Sequence, residues 1–384
     1  MGFNTVFVVT VLTSRMFMPG MSDIPNIPGM DTAGFSGPMR TLTMNLMSDK
    51  KVDAQSKAEA MIPEGLKLGP KVKLTIDLPG KTEEKITTEG KDEQANMPDF
   101  TMKLYWKSSE KVLPGQPKVI TSADVKNAAF MSPEKMKQVQ KNIEKEADRS
   151  HAYWPGQDFK KLDKNAATPG GYTLTTNYCG VTSFSMEASQ NFLDPINLTS
   201  LNNGADLAKS IKVQWDAVPN AAAYLVTAFS SSDKVIITWT SSADPDMQGN
   251  VYQGAISKAD MKKYLDSGIL LPAATTTCYI PAGIFESTQA PMLMVTAYGN
   301  DTIQQKDGIE TQIVVRSTAT ATLSGPMGGN LDEESIKSSD SNSAKDAENT
   351  VKEDDSNKTP DKPADKDGDK VKKGLKKLKG ILGR

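Results

Sequence analysis

Apolar and polar side chains alternate in short runs along most of this chain. Residues 40–47 (RTLTMNLM), 71–78 (KVKLTIDL) and 100–106 (FTMKLYW) each place apolar residues at about every second position. Successive side chains of a strand point to opposite faces, so this period predicts strands with one face buried. The Pro-Gly pair at 79–80 closes the second run with a turn, and PGQPKVI after the third adds a turn and a short strand. The period then changes. Ser132 suits an N-cap, Pro133 suits the first helical position, and Met136, Val139, Ile143 and Ala147 follow at helical spacing. These residues predict one surface helix over 133–149. Residues 172–178 (YTLTTNY) and 182–187 (TSFSME) resume the alternation and predict a hairpin across Cys179 and Gly180.

From residue 189 to 324 the signal is nearly all β. IKVQWDAV (211–218), AYLVTAFS (223–230), KVIITWTSS (234–242), CYIPAGIF, MLMVTAYGN and TQIVVRSTATATL are short runs separated by turn residues. A polar insertion over 243–268 carries one helical candidate, with Ser257 as N-cap and Met261 and Leu265 four apart. The expected fold class is therefore mainly β. It has two β-sandwich-like domains, 40–188 with an inserted α-helix and 189–324, followed by a disordered C-terminal tail that ends in a short basic amphipathic helix.

The segment WDAVPNAAAYLV (215–226) resembles the B-to-C strand region of fibronectin type III domains, with a core Trp, a turn, and then Ala-x-x-Tyr-x-Val. MVTAYG (294–299) is similar to the F strand of that family. The resemblance covers about a third of the chain. It departs from the family in two ways: the position of the F-strand tyrosine falls near Pro291, and the insertion after Thr240 is long. It implies a sandwich with a binding or spacer role and no catalytic residues.

The two ends of the chain read differently. Residues 5–13 (TVFVVTVLT) form an apolar run the length of a signal-peptide core, too short to span a bilayer as a helix. No basic stretch precedes it. It is read as a degraded or mis-started export signal, with a buried strand as the other reading. Residues 14–39 are rich in Met, Pro and Gly and read as a linker. Residues 325–370 contain no aromatic residue and almost no aliphatic ones, a composition that cannot offset chain entropy and is expected to stay disordered. In residues 371–384, Val371, Leu375, Leu378 and Leu382 share one helical face with Ile381 beside them. Lys372, Lys373, Lys376, Lys377 and Lys379 cover the rest. Gly374 and Gly380 each cost such a helix about 1 kcal/mol, so it is expected to form on a surface: an anionic membrane contacted peripherally, or an acidic partner.

Composition narrows the chemistry. Hydrophobic residues make up 38% of the 384, below the roughly 45–50% (glycine included) of compact domains, so part of the chain is expected to stay unpacked. The net charge of −2 offers no field for nucleic acid. One histidine and two cysteines exclude a Cys/His zinc site within one chain and argue against a Ser-His-Asp or Cys-His catalytic pair. Cys179 and Cys278 are either a disulfide closing a loop of about 100 residues, stabilising by ~4–5 kcal/mol on the chain-entropy model, or two free thiols. Met16, Met18 and Met21, with Met30 and Met39 nearby, are thioethers that suit Cu(I). Tyr105, Trp106, Tyr153 and Trp154 would serve either sugar stacking or core packing. No cofactor is expected. The function expected is a non-catalytic envelope or secreted binding or structural protein, periplasmic or extracellular, that engages a protein or envelope partner through sandwich loops or the terminal helix. The alternative is a Met-rich periplasmic copper binder.

Overall fold

A computed structural model describes residues 5–17, 37–78, 98–126, 149–156, 162–201, 204–245, 254–288 and 290–324. They are mainly β. The first strand, β1 (Thr5–Phe17), buries Phe7, Val9 and Val11 on one face and half-buries Val6, Val8 and Leu12 on the other. A strand covered on both sides is an unbroken apolar run, and so is the core of a signal peptide. Residues 5–13 are therefore a core strand of this fold. β1 pairs in parallel with β18 (Ile309–Thr322) and antiparallel with β2 (Met39–Ser48).

Beyond β2 the large sheet continues to β8 (Ser150–Trp154) and β5 (Thr75–Asp77). Beyond β18 it continues through β16 (Met292–Tyr298), β12 (Ala223–Ser232) and β13 (Val235–Thr240) to β6 (Thr101–Trp106) and β7 (Lys118–Thr121). Two further strands bring it to 12: β14 (Leu271–Pro272) on β12 and β17 (Thr302–Lys306) on β18.

Two smaller sheets cover one face of this sheet. The first has the order β10 (Val181–Met186), β9 (Gly170–Thr176), β3 (Ala58–Met61), β4 (Lys71–Lys73). Phe184 of β10 meets Phe7 of β1 edge to face, with ring centroids 6.1 Å apart, and stacks on Tyr172 at 5.0 Å. The second pairs β11 (Ile211–Gln214) with β15 (Thr277–Ile280), and Leu198 bridges to Trp215 beside it. Trp215 meets Tyr224 of β12 edge to face at 5.3 Å. Two groups of strands thus share one continuous sheet, joined where β1 meets β18.

Strands from both sides of the expected 188/189 boundary share the large sheet. The chain up to Pro326 forms one compact unit. The β6–β7 hairpin, from the expected first domain, sits on the far edge of the second half through a parallel β6–β13 pairing. Its connecting loop also reaches β15: Ser109 N–H donates to Tyr279 O at 3.1 Å, and Tyr279 N–H donates to Ser108 Oγ at 2.9 Å. The alternating run 71–78 is not one strand. It turns at fully buried Leu74, giving β4 to the small sheet and β5 to the large one.

The 172–187 hairpin forms as expected, with Gly180 at φ +100° in its turn. Short α1 (Ser122–Lys126) follows β7. The insertion helix is α2 (Lys258–Asp266), capped by Ser257 accepting from Asp260 N–H. It lies on the outer face of the sheet, where Met261, Tyr264 and Leu265 pack against a small core of Ala223, Leu225, Ile256, Leu270 and Tyr298. Asp301, its side chain fully buried, anchors this lobe. It accepts Ile256 N–H, Val315 N–H and, at 2.6 Å, Arg316 Nη1. The helix expected over 133–149, apart from its last residue, and the segments 325–370 and 371–384 lie outside the described residues.

Candidate functional site

The outer face of the large sheet carries the described methionine of the copper candidate. Strand register puts Met16 level with Thr320, and Thr320 level with Met294 two strands away. Met292 follows on the same face, level with Phe229. Met39 lies opposite Ser14, diagonal to Met16. Met16, Met39 and Phe229 are 47%, 42% and 55% exposed. The residues between them on this face are Thr227, Thr318, Thr320, Thr322 and Ser14, none of them charged. The sequence pattern grouped Met16 with nearby Met39 but not with Met292 and Met294, because those two come from a distant part of the chain. Their alternation with polar residues was the signal for an outward face. Met18 and Met21 lie outside the described residues.

Cys179 and Cys278 are free thiols, the second of the two readings that the sequence left open. Cys278 lies on β15 opposite Val213, fully buried, and burial pushes its thiol far up from the ordinary range. Cys179 sits in the β9–β10 turn with its sulfur 3.1 Å from Thr176 Oγ1; burial raises its pKa, partly offset by that hydrogen bond. Neither is an activated nucleophile, since reactivity needs a lowered thiol pKa.

The four aromatics weighed for sugar stacking do not form one face. Tyr105 and Trp106 are on β6, while Tyr153 and Trp154 are on β8 toward the opposite edge of the sheet. Tyr105 is buried, and Trp154 packs on the main core. Among the described residues no group of three or more His, Cys, Asp or Glu is placed to hold a metal ion, and no helix is long and apolar enough to cross a membrane. Residues Val371, Lys372, Lys373, Leu375, Lys376, Lys377, Leu378, Lys379, Ile381 and Leu382 lie outside the described residues.

The arginines are further candidates that the sequence pattern did not single out. The chain has five among its 45 basic residues, and Arg15, Arg40 and Arg316 all lie on strands of the large sheet. Such scarcity, with placement inside alternating runs, was a signal for buried or half-buried guanidiniums. No family model matches this chain, and no curated protein matches it in sequence.

Proposed function

We propose that this is a non-catalytic binding or structural protein that engages a partner through sandwich loops or through the basic segment 371–384. The observation that carries the reading is the strand arrangement of residues 198–324. In an immunoglobulin-type sandwich, strands B and E share one sheet and C, F and G share the other. Taking β11 as B and β12 as C, as the resemblance to fibronectin type III domains has it, β15 stands as E, β16 as F and β18 as G. That correspondence supports a fibronectin type III-like half, a class whose role is binding or spacing. The proposed location is the envelope or outside the cell. The proposed place of action is an anionic membrane surface or an acidic partner reached by the terminal segment. The test is sedimentation with vesicles containing anionic lipid. The full chain co-sediments and the chain lacking 371–384 does not; equal sedimentation of both removes the terminal segment from the reading. Fractionating native cells decides between envelope and cytoplasm.

The methionine face favours a second reading, a copper binder. Met16, Met39, Met292 and Met294 bring four thioethers to one uncharged surface, and thioethers select Cu(I). Anaerobic Cu(I) titration against a chromophoric competitor tests it: Met292→Leu with Met294→Leu weakens binding at least tenfold, or the reading fails.

A further inference from the structure

We propose that Arg15 and Arg40 form a binding site for a phosphate group, free or as a monoester, at the end of the sandwich where β1 and β2 are joined. In the β1–β2 register Arg40 lies opposite Thr13, so Arg15 is its diagonal neighbour on the inward face. Diagonal positions of an antiparallel pair are within reach of long side chains. One segment runs beneath both. The Arg40 guanidinium lies over the Phe192 ring, the Thr13 hydroxyl donates to Leu193 O, and Arg15 Nη1 donates to Asn197 Oδ1 at 3.3 Å. Arg15 also lies 4.5 Å over the Phe17 ring.

Neither arginine has a carboxylate partner among the described residues, where the ion pairs are Lys67–Asp163, Lys71–Glu59, Lys209–Asp206, Lys262–Asp266 and Arg316–Asp301. Arg40 donates to the backbone oxygens of Lys164 and Ala166. Arg15 reaches Asp216 only through Asn197, whose Nδ2 donates to Asp216 Oδ2. Arg15 Nε is buried and has no hydrogen-bond partner among the described residues. A buried donor is ordinarily satisfied, so this orphan N–H marks a place where an acceptor is wanted. The third strand arginine supplies the contrast: Arg316 is buried and fully compensated by Asp301. Two half-buried, uncompensated guanidiniums carry a charge of about +2. That matches the −1.5 to −2 of a phosphate monoester at neutral pH, and the planar fork of arginine suits its oxygens.

The site is independent of segment 371–384, so failure of either reading leaves the other standing. The test is thermal unfolding of the full chain with increasing inorganic phosphate, ionic strength being held constant with sodium chloride. Phosphate raises the midpoint saturably, and glycerol phosphate does the same if the group is read as a monoester; a monoester without effect assigns the site to free phosphate. Acetate binds at least tenfold more weakly. Arg15→Gln and Arg40→Gln each weaken phosphate binding at least tenfold. Should a Gln variant fail to fold, Arg15→Lys and Arg40→Lys, which keep the charge and lose the fork, weaken it measurably. Absence of a saturable shift, acetate acting as strongly as phosphate, or an unchanged response in folded variants overturns the proposal.

Discussion

The two halves of the large sheet differ in how they are assembled. The half built on β12, β13, β16 and β18 draws those four strands from residues 223–322, and most of its neighbours are close in sequence. The half built on β1, β2, β5 and β8 closes only because β1 pairs with β18, whose partner residues lie about 300 positions away. Loop closure over such a distance costs entropy that local hairpins avoid, so it must be repaid by burial. β1 supplies that burial with Phe7, Val9 and Val11, all at most 1% exposed. The lesson is that β1 is the joint: without it neither half keeps its edge covered.

Removing residues 1–17 should therefore have the largest effect. It strips hydrogen-bonding partners from both β18 and β2, and we expect loss of the cooperative thermal transition in circular dichroism. A truncated chain that unfolds like the intact one would return residues 5–13 to the role of a dispensable leader.

Core truncations come next and separate one unit from two. Trp239→Ala in the second half should cost about 3–5 kcal/mol and Leu174→Ala in the first about 2–5 kcal/mol. Both residues are fully buried. Each should shift the same single calorimetric transition; two transitions, each answering to one variant, would mean independent halves. Asp301→Ala strands the buried Arg316 guanidinium and should cost about 3–5 kcal/mol, loosening the α2 lobe first.

A smaller effect follows from alkaline pH. Burial holds Cys278, Tyr172 and Tyr298 protonated in the folded chain, with their pKa values raised. In the unfolded chain they ionise at ordinary values, roughly 8.5 for Cys and 10 for Tyr. The unfolded state then binds fewer protons than the folded one, so stability is fully present below those values and falls as pH rises through them. Denaturant melts at increasing pH should show a decline beginning near the thiol value that Cys278→Ala removes in part. Smallest of all, Lys262→Ala breaks an exposed pair on α2 and should leave the midpoint unchanged.

The same contrast explains what the sequence disclosed. The strands of the second half, the 172–187 hairpin and the Ser257-capped helix were legible because period 2, turn residues and a cap act locally. β1 was legible only as one of two readings, because a strand covered on both faces loses its alternation and looks like a signal-peptide core. The division of residues 71–78 was not legible, since both parts keep one alternation and only packing places the corner at Leu74. The methionine face and the arginine pair escaped for a common reason. Each joins residues that register, not sequence, brings together: Met16 with Met294, and Arg15 with Arg40 across 25 positions.

The most direct test of the account is amide hydrogen exchange along β1 in the intact protein, read by mass spectrometry of peptides covering residues 5–17. Amides paired to β18 and β2 should be among the slowest in the chain, exchanging only with global unfolding. Rapid exchange there, beside slow exchange in β12 and β16, would contradict the account and leave the second half as a domain that stands without β1.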